Sequence, residues 1–227
     1  MQYSLVLRRL EAYRKKHSLL QKNIAESLDI TQSEYSKLEL GKIKLSYEIL
    51  SKLYRQGWDI DMVITGECGE PILKSVEKIA TQKDEKQFVS ALKLCEWAME
   101  QWSQEDNREE PIGNRLLKIF INDDSNMTPL EKLRKAFGVS QIQMAEIIGV
   151  NIKKYRMLEK GTAQLDAELM ANIYEATGCK PSYFVDENTF YLSVISDECR
   201  YGDNRENQIK ELLEIKEKFK RSNEDKR

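Results

Sequence analysis

The chain has 227 residues, the length of one large domain or two small ones. Gly and Pro number only 10 and 4, roughly half their usual share, which argues against a many-stranded barrel or sandwich and for long helices. Charged residues at 33% and hydrophobic ones at 41% exclude a disordered chain, and a formal net charge of -2 removes the overall basic character that usually marks nucleic-acid binders. No apolar run is long enough to span a membrane. The three-residue apolar stretch before Arg8 and Arg9 is too short for the core of a secretory signal. Cys68, Cys95, Cys179 and Cys199 have no metal-ligand spacing and read as reduced packing thiols of a cytoplasmic protein. His17 is the only histidine, so a multi-histidine metal site is excluded. No nucleophile–base pair, glycine-rich phosphate loop or cofactor motif is visible, and the expectation is a protein without catalytic residues, metal or cofactor.

In chain order, Leu7, Leu10 and Tyr13 lie three apart among charges and predict an amphipathic first helix, with His17 on the surface near its end. Gln21 to Leu28 reads as a short second helix with Ile24, Ala25 and Leu28 on one side. Thr31, with Glu34 three residues on, has capping-box spacing for a third helix running to about Leu40. Gly41 is placed to end that helix, and Tyr35 and Leu38 point inward from it. Ser46 caps a fourth helix through Ile49, Leu50, Leu53 and Tyr54, and a short fifth follows from Asp59 to Ile64.

This unit recurs. At an offset of 120, Leu10, Glu11, Arg14, Lys15, Gln21, Ala25, Glu26, Tyr35, Leu38, Glu39, Gly41, Leu45, Glu48 and Tyr54 all meet the same residue type, from Leu130 to Tyr174, without a gap. Two copies of one compact unit follow, at residues 1–66 and 125–187.

Two short helices, a tight turn and an amphipathic third helix describe a helix-turn-helix. Gln21, Ala25, Ile30, Ser36, Leu38, Glu39 and Gly41 resemble the signature of the lambda-repressor-like (Cro/repressor-type, XRE) family of DNA-binding domains, as does the ending Trp58 to Gly66. The second copy keeps Gln141, Ala145, Val150, Tyr155, Leu158, Glu159 and Gly161 but has Arg156 for the serine and Ile152 in place of Gln32. The resemblance implies a prokaryotic or phage transcriptional regulator bound to double-stranded DNA, with repression by promoter occlusion as the default. It places Gln32, Ser33 and Lys37 at base edges in the major groove, and Gln21, Ser36, Lys42 and Lys44 near phosphates. In the second copy the corresponding expectation is Ile152, Lys153 and Arg156 at bases, with Gln141 and Lys154 at phosphates. Glu39 and Glu159 are expected to hold helix ends together rather than to read bases. Two readings of the second copy stand open: it grips a second half-site, or it is a structural or dimerising repeat and a homodimer supplies the other half. An antitoxin-like module whose middle and C-terminal helices bind a partner protein is the alternative function.

Between the copies, residues 67–124 read as a helical linker or dimerisation segment. Pro71 is placed to open one helix with Ile72, Val76 and Ile79 on a face. Phe88, Ala91, Leu92, Cys95, Ala98, Met99 and Trp102 mark a second, with Trp97 and Trp102 assigned to the core and an interface as the alternative. Gln104 to Glu110 reads as a solvated acidic loop, and Leu116, Leu117, Phe120 and Ile121 mark a further helix. In the C-terminal extension, 188–227, Thr189 to Ile195 is β-leaning, a short strand or extended arm. Ile209, Leu212, Leu213, Ile215 and Phe219 predict a helix before a frayed end from Ser222. The fold expected is all-α: two five-helix domains joined by a helical spacer, with a C-terminal helix.

By region, residues 1–66 carry net +3 and 128–185 net +2, against -5 for 67–127 and -2 for 186–227. The overall -2 therefore conceals two mildly basic units, and the net-charge argument against nucleic acid fails locally.

Overall fold

A computed structural model describes residues 3–81, 84–106, 109–122 and 126–224. Among the described residues the elements are all helices, with α1 (Tyr3–Lys16), α2 (Gln21–Ser27), α3 (Gln32–Glu39), α4 (Tyr47–Arg55) and α5 (Ile60–Thr65) in the first copy. The segment after it forms α6 (Lys74–Ala80), α7 (Glu85–Asp106) and α8 (Ile112–Asn122). The second copy holds α9 (Pro129–Phe137), α10 (Gln141–Ile147), α11 (Ile152–Glu159), α12 (Ala167–Thr177) and α13 (Ser182–Val185), followed by α14 (Glu187–Tyr201) and α15 (Arg205–Glu224). Two compact units result: Met1–Gly69 with Met127–Glu187, and Glu70–Asn126 with Asn188–Arg227.

The first unit contains both copies, and local sequence sets their helix ends. Thr31 and Glu34 form the expected capping box at α3, and Ser140 with Gln143 forms another at α10. Ser46, Asp59, Thr128, Asn151 and Asp166 each accept a backbone N–H at the start of α4, α5, α9, α11 and α12. After α3, Gly41 N–H donates to Leu38 O and Lys42 N–H to Lys37 O, a Schellman closure that Gly161 and Thr162 repeat after α11. Gly41 and Gly161 take φ of +70° and +71° there, a region a side chain resists. The cores match position for position: Leu10, Ile24, Ala25, Leu28, Tyr35, Leu38, Leu50 and Leu53 are buried, as are Leu130, Met144, Ala145, Ile148, Tyr155, Leu158, Met170 and Ile173.

The copies differ at a left-handed turn. Ser18 adopts φ of +55°, where its counterpart Gly138 has +66° without strain. Ser18→Gly is expected to stabilise the first copy by about 0.5–1 kcal/mol. A rise in the chemical-denaturation midpoint at unchanged slope checks it; a fall would mean that Ser18 makes a compensating contact.

The copies pack against each other through equivalent surfaces. Ser46 and Asp166, one repeat apart, face each other in an antiparallel bridge, and Ala167 N–H donates to Leu45 O at 2.9 Å. α4 packs on α13 while its counterpart α12 packs on α5, the counterpart of α13. Tyr54 donates its hydroxyl to Asp186 at 3.2 Å, and the equivalent Tyr174 pairs with Glu67. Asp61 accepts both the backbone N–H and the hydroxyl of Ser182 at 2.7 Å, tying α5 to the start of α13. The bridge of Ser46 with Asp166 and the reversed pairing of α4 on α13 with α12 on α5 are the marks of an approximate two-fold relation, while α1 on α12 and Asp61 with Ser182 lack an equal counterpart.

In the second unit, α7 packs with α6, α8 and α15, burying Phe88, Ala91, Leu92, Cys95, Ala98, Met99 and Trp102. Cys95 and Cys199 are buried free thiols, with burial pushing both up to about 12, so neither is a thiolate at neutral pH. Among the described residues no helix is long and apolar enough to cross a membrane.

Four expectations are corrected here. Residues 189–195 are neither strand nor arm but part of α14, a helix buried around most of its surface by Phe190, Tyr191, Leu192, Val194, Ile195, Ser196, Glu198 and Cys199. Packing overrides the β-leaning composition. Trp97 is 54% exposed: it stands about 100° around the helix from Ala98, off the buried stripe. Pro71 does not open α6, which starts at Lys74; its carbonyl instead accepts the Arg200 guanidinium. Of the expected acidic loop, Gln104 to Asp106 belong to α7, while residues 107 and 108 lie outside the described residues. The side chain of Phe219 and residues 225–227 also lie outside them, and where the sequence predicts fraying from Ser222, α15 instead continues to Glu224.

Gly113 lets α8 approach α14. A Cβ there would stand 2.7 Å from Val194 Cγ2. Gly113→Ala is expected to cost about 1–3 kcal/mol through overpacking, despite alanine's better helix propensity. Thermal unfolding checks this, and an unchanged midpoint would show that Val194 simply turns aside.

Candidate nucleic-acid interface

In each copy the third helix is held by a buried carboxylate. Glu39 accepts from Arg14 Nε at 2.6 Å and from Gln21 Nε2 at 2.7 Å, so one side chain joins α1, α2 and α3. Arg14 also donates to Leu19 O at 3.1 Å, fixing the chain between α1 and α2. The second copy repeats the arrangement. Glu159 accepts from Arg134 Nε at 2.6 Å, from Gln141 Nε2, and from the Tyr155 hydroxyl at 3.3 Å. Both glutamate side chains are about 95% buried, so the expectation that they brace helix ends holds. The hydrogen bond to Glu39 raises the Arg14 pKa above its ordinary value. Burial works against the Arg134 charge, and the bond to Glu159 together with the charges of Glu159 and Glu131 raises its pKa overall.

The turn before the third helix is also shared. Ile30 N–H donates to Ala25 O at 3.0 Å and Val150 N–H to Ala145 O at 2.9 Å. The intervening left-handed residue is Asp29 in one copy and Gly149 in the other. α2 and α3 are thus set against each other by backbone, a capping box and an ion pair, with the outer face of α3 free of core duties.

That face carries the expected residues. Gln32, Ser33 and Lys37 are exposed, Ser36 is half-buried beside them, and Lys42 is exposed just past the helix. Gln21 stands half-buried at the start of α2. One of its amide hydrogens is spent on Glu39; the other remains for an anion. Glu34, the exposed acid on this helix, has its carboxylate turned back onto Thr31 N–H and hydroxyl, both at 2.8 Å. Lys44 is placed differently. Its ammonium lies 3.6 Å from Asp166 and 2.5 Å from Glu168, in the pairing of the two copies, and the Glu168 bond raises its pKa.

On α11, Lys153, Lys154, Arg156 and Met157 are exposed and Ile152 is half-buried. Arg156 Nε reaches Gln141 Oε1 at 3.4 Å, a long contact that links the two sequence-predicted residues. Ile152, Lys153, Arg156, Met157, Lys160 and Thr162 line one shallow groove. Met157, Lys160 and Thr162 were not singled out from sequence. Their signal was the repeat register, which puts Met157 opposite Lys37 and Thr162 opposite Lys42. Among the described residues no cluster of His, Cys, Asp and Glu could hold a metal ion.

The family model described as Helix-turn-helix matches the chain twice, at residues 10–55 and 130–184, and so covers α2-turn-α3 and α10-turn-α11 in full. No curated protein matches the chain. No solved structure matches it.

Proposed function

Because both repeats of the chain belong to the helix-turn-helix family, a family of DNA-binding domains, we propose that the protein is a sequence-specific transcriptional regulator of the cytoplasm that represses by occluding a promoter. The observation that carries this is the exposed face of α3, presented by a helix braced through Arg14, Gln21 and Glu39. With α3 in the major groove, Gln32 pairs with an adenine edge, Lys37 donates to guanine, and Ser33 bonds either. Gln21, Ser36 and Lys42 hold phosphates and fix the register. Lys44 falls out of this set, since Asp166 and Glu168 already neutralise it. In the second copy Ile152, Lys153 and Arg156 face bases, with Gln141 and Lys154 at the backbone. No catalytic step is assigned to any residue.

The experiment is recovery of genomic fragments bound by the full chain, footprinting of the best, and a reporter driven from the same promoter. Protection overlapping the promoter and a reporter that falls when the protein is expressed are the expected results. A reporter that rises would make it an activator, and equal affinity for every fragment would refute sequence-specific regulation.

A further inference from the structure

The pairing of the two copies has a consequence for the DNA that one chain takes, given the DNA-binding reading above, on which it rests. Ser46 meets Asp166, the residue one repeat away from itself, and does so antiparallel. α4 on α13 is answered by α12 on α5, and Tyr54 with Asp186 by Tyr174 with Glu67, one residue out of register. A contact in which equivalent residues meet antiparallel and helix pairings are exchanged arises from an approximate two-fold axis; repeats stacked head to tail bring unlike surfaces together. The axis runs by Ser46 and Asp166. The helices α3 and α11 pack chiefly on the first two helices of their own copies. A chain with this symmetry offers its recognition helices as a dimer does, and half-sites read by two-fold-related helices are inverted.

The two reading faces are not alike. Gln32, Ser33, Ser36 and Lys37 on α3 correspond to Ile152, Lys153, Arg156 and Met157 on α11. An amide side chain suits adenine, a guanidinium suits guanine, and apolar groups such as Ile152 and Met157 suit a thymine methyl. The charge differs too. Lys153, Lys154, Arg156 and Lys160 are exposed along and just beyond α11, against Lys37 and Lys42 at α3.

We infer that a single chain fills a whole operator made of two unlike half-sites in inverted orientation, one read by the amide and lysine face of α3 and the other by the arginine and apolar face of α11. A second chain is not needed to complete the site. The α11 half contributes more of the salt dependence, because more cations there displace counterions.

The test uses the full chain and duplexes selected from a random pool. The expected site holds two different elements, and native mass spectrometry of the complex finds one chain per duplex. Arg156→Ala relaxes selection at one element only and weakens binding about ten-fold or more, with the circular dichroism spectrum unchanged. A grafted variant reports orientation. With Ile152→Gln, Lys153→Ser, Arg156→Ser and Met157→Lys, α11 presents the α3 residues, and the selected site becomes a palindrome. A direct repeat from the grafted variant would overturn the two-fold reading. A selected site indifferent to Arg156→Ala, or two chains on every duplex, would overturn the claim that one chain fills it. If no sequence is enriched at all, the DNA-binding proposal itself falls, a result distinct from either of these.

Discussion

Glu159→Ala is expected to destabilise the first unit by about 3–5 kcal/mol, among the largest effects of any single substitution in it. The carboxylate is 5% exposed and receives Arg134, Gln141 and the Tyr155 hydroxyl. Its removal leaves a guanidinium only 17% exposed with just the longer contact to Glu131 at 3.8 Å and the Val139 carbonyl, together with a phenol and an amide that lose their acceptor. Burial and the Glu159 charge already raise the Tyr155 pKa, so the phenol stays protonated and cannot replace the anion. Glu159→Gln keeps the shape and part of the hydrogen bonding and should cost less. Urea unfolding of both variants checks the order. Equal and small losses would show that the ion pair contributes no more than an exposed one, for which about 0–1 kcal/mol is usual.

Gln32→Ala with Lys37→Ala is expected to remove specific DNA binding while leaving the fold intact. Both side chains are exposed on α3, and the helix is held from its other face by Tyr35, Leu38 and Glu39. Each base pairing lost is worth about 1–3 kcal/mol of discrimination, so the pair together lowers specific affinity by roughly a hundred-fold or more. Non-specific binding should fall far less, since only Lys37 carries charge. Gel-shift titration against specific and scrambled duplexes separates the two. Unchanged specific affinity would mean that α3 does not read bases.

The elements that sequence places well are those fixed by local chemistry. Thr31 with Glu34 and Ser46 cap the helices they precede, and Gly41 closes α3. Such signals need only neighbours a few residues away. The identities at offset 120 extended them to a second copy, and the family match falls on both. Elements that depend on distant partners were less legible. Thr189 to Ile195 has the composition of a strand, and only its burial within the second unit makes it a helix. Trp97 and Ala98 differ by one residue, yet that step turns Trp97 off the buried face.

The candidate site divides in the same way. Exposure of Gln32, Ser33 and Lys37 follows from the helical period once Tyr35 and Leu38 are buried. The pairing of Lys44 was not legible because its partners, Asp166 and Glu168, lie in the other copy. The repeat register identified Ser46 and Asp166 as equivalent, but equivalence carries no information about contact. The two-fold relation became visible only when the copies were seen to meet there.

Whether this chain reads DNA sequence is decided by the ratio of two dissociation constants. The full chain is titrated, at about 150 mM salt, onto the duplex it selects best and onto a scrambled duplex of the same length. A ratio of about a thousand or more is expected, the usual lower bound for specific over non-specific binding. A ratio near one, with the protein folded, would mean that the chain does not read sequence.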